Sequence, residues 1–152
     1  MTIAYRTWEI KVQEFAKKKG TPIYGARALN VNINPLMRRY TSDFDLWSTK
    51  PKIHALELAK ELGERYHVKR VQLPTGKFVY RVIHKSGQLT ADITRVPSKE
   101  RYYSRQGMTY QSLMDQKERL EEILSDPSKR FRHEKARADL RRILYTLKQL
   151  EP

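Results

Sequence analysis

The chain has 152 residues, which is the size of one domain and long enough to bury a hydrophobic core. Hydrophobic residues make up 39% and charged residues 32%, which argues against a disordered chain, and no apolar run approaches the ~20 residues of a membrane span. The chain has no cysteine, which excludes disulfides and cysteine-ligated zinc, and its first residues lack the apolar stretch of a signal peptide. We therefore expect a cytoplasmic protein that does not associate with membranes.

The formal net charge of +14 is large for this length and predicts attraction to polyanions. Nucleic acid, nucleotides and anionic membrane surfaces are the classes of partner that such a charge attracts. We expect nucleic acid or nucleotides. A surface that serves only solubility is the alternative.

The first part of the chain predicts a helix, a short strand and a second helix. Apolar residues at helical spacing predict a helix over residues 5–19, which ends at Gly20. A strand over residues 21–24 then meets Gly25, where the second helix can open. A glycine at such a turn lets backbone N–H groups approach a phosphate, although an ordinary tight turn has the same sequence. Residues 31–40 are expected to be irregular.

Residues 41–48 (Thr-Ser-Asp-Phe-Asp-Leu-Trp-Ser) are the most informative stretch of the sequence. In a β-strand, Asp43 and Asp45 point to the same face. Two adjacent carboxylates repel each other unless a cation lies between them, and Mg²⁺ commonly takes one or two carboxylates together with water and phosphate oxygens. A solvated pair near a strand edge is the alternative. Arg38 and Arg39 precede the strand and could neutralise a triphosphate or the carboxylates.

The middle of the chain predicts a helix followed by three strands. The helix is expected to begin near Pro51, with Ser48 or Thr49 as its cap, and to bury one apolar stripe. That stripe is assigned to Ile53, Leu56, Leu58, Ala59 and Leu62. Strands are predicted over residues 67–73, 77–84 and 89–96, with a hairpin turn between the last two. The last strand contains Asp92, and because strand interiors disfavour aspartate, this residue calls for a functional reason.

The last third of the sequence predicts a basic linker over residues 98–107 and two helices from Thr109 onward, separated near residues 126–128. Arginine and tyrosine in the linker can hold single-stranded nucleic acid by charge and stacking, or they can line a plain surface loop. In the second helix, three arginines share a face that could follow phosphates, with a solvated basic face as the alternative. They are Arg130, Arg137 and Arg141.

Three of these segments, in this order, resemble the motifs of a known superfamily. They are residues 24–28 (Tyr-Gly-Ala-Arg-Ala), 41–45 (Thr-Ser-Asp-Phe-Asp) and 91–93 (Ala-Asp-Ile). The pattern resembles the polymerase β-type nucleotidyltransferases, and within them it is similar to the poly(A) polymerase group of poxviruses, asfarviruses and giant viruses. The resemblance covers residues 20 to 96, approximately. A motif match of this kind is a hypothesis that needs its structural context.

The resemblance implies an α+β fold in which a small mixed β-sheet is flanked by helices. The catalytic core would cover residues 1–97, and residues 98–152 would form the basic linker and a two-helix C-terminal segment. It also implies two Mg²⁺ ions, with Mn²⁺ as a substitute, that stabilise the attacking and leaving oxygens of a phosphoryl displacement. The implied catalytic and metal-binding residues are Asp43, Asp45 and Asp92. The implied nucleotide-binding residues are Gly25, Ala26, Arg27 and Arg39.

The implied activity is transfer of NMP from an NTP to the 3′ end of a nucleic acid, with RNA favoured. Modification of a protein or small molecule by the same core, and nucleic-acid binding without catalysis, are the alternatives. Ala26 departs from the Gly-Ser or Gly-Gly that is usual at the phosphate turn, and a hydroxyl that can bind phosphate is lost. The chain is also smaller than many relatives, so a homodimer or a partner protein could supply the remaining surface.

Overall fold

Seven strands form one mixed sheet in this computed structural model, which describes residues 7–99 and 101–151. The helices are α1 (Thr7–Lys19), α2 (Gly25–Asn32), α3 (Pro51–Leu62), α4 (Leu113–Ser125) and α5 (His133–Leu150). The strands are β1 (Ile23–Tyr24), β2 (Phe44–Ser48), β3 (Tyr66–Gln72), β4 (Phe78–His84), β5 (Leu89–Arg95), β6 (Tyr102–Arg105) and β7 (Met108–Gln111). Short 3₁₀ helices cover Pro35–Met37 and Pro127–Arg132. The predicted start of the first helix, at residue 5, lies outside the described residues.

The strand order in the sheet is β3-β4-β5-β2-β1-β7-β6. Strands β2 and β5 are parallel, as are β1 and β7, and the other neighbouring pairs are antiparallel. The parallel pair β2–β5 is possible because α3, β3 and β4 form the long connection between these two strands. The predicted α+β fold, with a mixed sheet flanked by helices, is confirmed.

Helices α1 and α3 cover one face of the sheet. Phe44 and Leu46 of β2 pack there against α1 and α3 in one buried cluster. Because side chains alternate along a strand, Asp45 between them points to the opposite face. The burial of Phe44 and Leu46 therefore fixes which face of the sheet receives the acidic side chain.

The buried side of α3 differs from the prediction. The side chains of Ile53 and Leu56 are 51% and 52% exposed, and the helix instead buries His54 and Ala55 together with Leu58, Ala59 and Leu62. Residues 55, 58, 59 and 62 form one helical stripe, and a stripe through residues 53 and 56 lies on another side of the helix. The predicted cap was also wrong, because the cap position is Lys50. Ser48 Oγ accepts a bond from the Lys50 N–H at 2.9 Å and lies 2.5 Å from His54 Nδ1.

The linker predicted for residues 98–107 was wrong in its secondary structure, because Tyr102–Arg105 and Met108–Gln111 form a hairpin that extends the sheet. Strand β7 pairs in parallel with β1, where Ile23 is opposite Tyr110. The following helix starts at Leu113 rather than Thr109, and the Ser112 hydroxyl caps it by accepting a bond from the Asp115 N–H at 3.1 Å.

Helices α4 and α5 pack on α2 rather than on the main core. Leu29 of α2 and Ile33, which follows that helix, form a second buried cluster with Ile143 of α5, and Leu113 and Leu120 of α4 pack against it. The predicted break between the two helices is present, and the 3₁₀ helix at Pro127–Arg132 fills it, so that α5 begins at His133. None of the described helices is long and apolar enough to cross a membrane.

Candidate active site

Three carboxylates converge on the sheet face that α1 and α3 leave uncovered. Asp45 of β2 and Asp92 of β5 are aligned partners on adjacent parallel strands, so their side chains lie next to each other on the same face. Asp43 immediately precedes β2. One carboxylate oxygen from each of these three residues lies within 4.8 Å of the other two. The structure therefore brings together the three acidic residues that the sequence singled out.

The turn at Gly25 packs directly on this cluster. Tyr24, the residue before it, is paired with Asp45 across β1 and β2. Gly25 has a φ of +69°, and a Cβ added to it would lie 2.6 Å from Asp45 Oδ2. Both the positive φ and the close contact require glycine here. Helix α2 opens at this turn, and the side chain of its N-cap residue, Tyr24, makes no capping hydrogen bond.

Crowding of negative charge in a partly buried place changes the proton affinity of the cluster. Burial, followed by the charges of Asp43 and Asp92, raises the pKa of the Asp45 carboxyl from its ordinary 3.8 to about 7. Burial and the charge of Asp43 likewise raise the pKa of Asp92 to about 6, against the opposing effect of Arg81. A bound cation would compensate the negative charge of the cluster and favour the ionised form of both carboxyls.

Cations from three elements approach the cluster, and the sequence analysis did not single them out. Lys135 of α5 and Arg132, just before it, oppose the rise in the pKa of Asp45. Arg81 of β4 is aligned with Asp92 of β5, and its Nε lies 3.2 Å from Asp92 Oδ1 as an ion pair. The signal for Arg81 was present in the sequence, since a hairpin closed by a four-residue turn at 85–88 places residue 81 opposite residue 92.

The two arginines predicted to bind nucleotide are engaged with the protein itself. Arg27 donates from Nε to the Asp43 carbonyl at 2.9 Å and from Nη2 to the Ser42 carbonyl at 2.8 Å, with its guanidinium 3.7 Å above the Phe44 ring centre. Its Nη2 is also 3.0 Å from Glu9 Oε2. This position lets Arg27 hold the backbone from which Asp43 projects.

The Arg39 side chain contacts helix α5 through an ion pair with Asp139. Its Nε is 3.2 Å from Asp139 Oδ1, and Arg142 pairs with the same carboxylate at 3.0 Å. The Arg39 backbone N–H donates to Asn30 Oδ1 at 3.1 Å, which ties the segment before β2 to α2. The three arginines that the sequence analysis placed on one helical face are exposed. They are Arg130, Arg137 and Arg141.

An aromatic pair lies next to the carboxylates on the same sheet face. The Tyr24 and Trp47 rings are stacked with their centres 4.7 Å apart, and the Tyr24 hydroxyl is 3.1 Å from Thr94 Oγ1. The Arg119 guanidinium lies 5.6 Å from the centre of the Trp47 ring. Burial raises the pKa of Tyr24, which keeps it neutral. These rings keep water from one side of Asp45, which accounts for part of the burial that shifts its pKa.

The donor set fits a hard divalent cation. Asp43, Asp45 and Asp92 offer carboxylate oxygens, which Mg²⁺ and Mn²⁺ prefer to nitrogen and sulfur ligands. Burial, together with repulsion from the neighbouring carboxylates, raises the pKa of Asp45 and Asp92, and a bound cation would oppose that rise. Asp43, Asp45 and Asp92 would hold such an ion, and its charge would compensate the cluster.

Comparison with known proteins points to one enzyme superfamily. No protein-family model matches the chain, and no curated protein matches its sequence significantly. The crystal structure of the Megavirus polyadenylate synthase matches with a TM-score of 0.74 and 25% identity, over 93% of this chain and 31% of that one. JHP933 from Helicobacter pylori matches at a TM-score of 0.47 and 12% identity, over 77% of this chain and 53% of that one, which is too distant to carry an argument.

This chain therefore spans less than a third of the Megavirus protein. The resemblance inferred from the three sequence motifs is confirmed. By its fold and by this similarity, the chain is a relative of the polymerase β-type nucleotidyltransferases.

Proposed function

We propose that this protein is a metal-dependent nucleotidyltransferase that transfers NMP from an NTP to the 3′ end of a nucleic acid, with RNA as the favoured acceptor. The observation that carries the proposal is the meeting of Asp43, Asp45 and Asp92 within 4.8 Å beside the Gly25 turn. The relationship to a structure named as a polyadenylate synthase supports both the reaction class and the choice of RNA.

The three aspartates and the start of α2 would have different roles in this reaction. Asp43, Asp45 and Asp92 would hold two Mg²⁺ ions, or Mn²⁺ in their place. Bound ions of this kind neutralise the charge of the triphosphate and activate the attacking hydroxyl. The start of α2 presents backbone N–H groups and a positive dipole end to the phosphates. Ala26 contributes only its backbone there, since it has no side-chain hydroxyl.

Charge supports a nucleic acid as the acceptor. The chain carries a net charge of +14, and Arg130, Arg137 and Arg141 are exposed on the C-terminal segment. A nucleic acid is a polyanion and is attracted by this positive charge, whereas a protein or small-molecule acceptor would gain less from it. We include a second copy of the chain or a partner protein among the partners that would extend the acceptor surface.

Incubation of the protein with Mg²⁺, each labelled NTP, and RNA or DNA primers tests the proposal. We expect the RNA primer to be extended by the wild type and by Glu64→Gln, which changes an exposed carboxylate in the turn after α3. Asp43→Asn should reduce incorporation to background. Failure of the wild type to incorporate any NTP, or equal incorporation by Asp43→Asn, would contradict the proposal. Label found on protein instead of primer would show a different acceptor.

A further inference from the structure

We propose that Gln111 and Gln116 are positioning residues that set the orientation of the Gly25 peptide at the phosphate turn. The inference rests on the proposed function, because it assigns to residues of β7 and α4 the task of shaping the nucleotide site. Nothing in the sequence motifs points to either glutamine, and both lie 86 or more residues after the turn that they contact.

The two glutamines hold both polar groups of Gly25. Gln111 Oε1 accepts a bond from the Gly25 N–H at 3.2 Å, and Gln116 Nε2 donates to the Gly25 carbonyl at 3.1 Å. Their side chains are buried, with residue exposures of 3% and 6%. Water therefore competes little for these bonds, and a buried amide that lost its partner would be costly. The two peptide groups that flank Gly25 are therefore each held by one buried glutamine side chain.

The orientation of each glutamine amide is fixed by another partner. Gln111 Nε2 donates to Asp115 Oδ2 at 2.7 Å, and a carboxylate only accepts, so Gln111 must turn its oxygen to Gly25. Asn32 Nδ2 donates both to the backbone carbonyl of Gln111 at 2.8 Å and to the side-chain Oε1 of Gln116 at 3.0 Å. Gln116 must therefore turn its nitrogen to Gly25. A fully satisfied buried network of this kind permits a single arrangement.

The consequence reaches the site because Gly25 touches the acidic cluster. The position of its missing Cβ is 2.6 Å from Asp45 Oδ2, so the phosphate turn lies directly against the acidic cluster. The bond to Gln111 also uses the Gly25 N–H itself. The N–H groups in the first turn of a helix have no intrahelical carbonyl acceptor. Those of Ala26 and Arg27 can therefore donate to a bound phosphate.

Gln116→Glu tests the proposal with a side chain of the same shape. The variant keeps an acceptor for Asn32 but places a second acceptor against the Gly25 carbonyl. The matched control is Gln72→Glu, because Gln72 Nε2 also donates to a glycine carbonyl, that of Gly76, at 3.3 Å in an exposed turn. Gln116→Met removes the donor without adding charge and serves if the glutamate variant does not fold.

The measurements separate positioning from folding. Binding of α,β-methylene-ATP with Mg²⁺ is measured by calorimetry, binding of Mn²⁺ alone by electron paramagnetic resonance, and KM and kcat by primer extension. We expect Gln116→Glu and Gln116→Met to raise the Kd for the analogue and the KM for NTP about 10-fold or more. Binding of Mn²⁺ alone should change less than about twofold, and Gln72→Glu should match the wild type in every measurement.

Two results would overturn the inference while leaving the proposed function intact. One is unchanged analogue binding and KM in folded Gln116 variants. The other is an equal loss of Mn²⁺ and analogue binding, which would show a general structural role. A wild type that binds neither the analogue nor any NTP would overturn the proposed function and this inference together, so the two failures are distinguishable.

Discussion

Replacing Asp45 by asparagine should stabilise the metal-free protein at neutral and alkaline pH. The pKa of Asp45 rises from 3.8 to about 7 on folding, so the folded protein binds this proton more tightly than the unfolded chain does. Stability is therefore lost as the pH rises from about 4 to 7, and the full cost of the charged carboxylate is present above pH 7. Asparagine has nearly the same shape and does not ionise.

The size of the effect follows from the pKa. The difference between 3.8 and about 7 corresponds to roughly 4 kcal/mol. Water and neighbouring cations such as Lys135 can relax around the charge, so we expect Asp45→Asn to stabilise the protein by roughly 2–4 kcal/mol at pH 8. For a domain of this size that corresponds to a rise in Tm on the order of 5–10 °C.

Thermal unfolding in EDTA at pH 8 and pH 5 measures this difference. The gain should be full at pH 8 and less than half as large at pH 5, where the folded wild-type carboxyl holds its proton but the unfolded one is already ionised. Addition of Mg²⁺ at pH 8 should raise the Tm of the wild type more than that of the variant, because the cation neutralises the charge that asparagine lacks. Glu64→Gln, on an exposed turn, should change stability by less than about 0.5 kcal/mol in all conditions. A variant that is less stable than the wild type in EDTA at pH 8, or a gain that is the same at both pH values, would refute the reasoning.

Two further substitutions test the local geometry. Gly25→Ala places a methyl group 2.6 Å from a carboxylate oxygen of the site and should lower kcat/KM about 100-fold or more in primer extension. Gly20→Ala is its control, since Gly20 also has a positive φ of +67° but a Cβ there meets nothing within 4 Å among the described residues, and it should keep full activity. Arg27→Lys loses the Nε bond to the Asp43 carbonyl and should cost roughly 1–3 kcal/mol in urea unfolding, with a lower kcat. Arg38→Lys, at an exposed arginine that also donates from Nε to a carbonyl, should leave both unchanged.

Local pattern was sufficient to predict much of the site. Residues two apart in an extended chain point to the same side, which places Asp43, just before β2, beside Asp45 of that strand. A glycine between a strand and a helix predicts a turn with unusual backbone angles. Asp92 was found because aspartate is unusual within a strand. Each of these signals depends on residues within a few positions of one another, which is the range over which backbone geometry is set by sequence.

The parts that could not be predicted depend on contacts between distant residues. The strands at Tyr102–Arg105 and Met108–Gln111 have a weak alternation, and they are held in the sheet by β1, nearly 90 residues earlier. The face of α3 was ambiguous because apolar residues occupy both candidate stripes, and only the packing against α1 and the sheet decides between them. Arg27 and Arg39 remain predicted nucleotide-binding residues, and what the sequence could not show is that carbonyl and acidic partners elsewhere in the fold also hold them.

The shortness of β1 has a consequence for how the molecule opens. This strand has only two residues, and it is the one connection in the strand order between the four strands on one side of the sheet and the β6–β7 hairpin on the other. Few backbone bonds cross it, so transient detachment of the hairpin requires less free energy than unfolding of the remaining sheet. Amide exchange in β6 and β7 is then faster than in β4 and β5. Helix α2 follows β1 directly, and β7 pairs with β1. A triphosphate bound at the start of α2 would therefore stabilise the β1–β7 pairing and slow amide exchange in the hairpin.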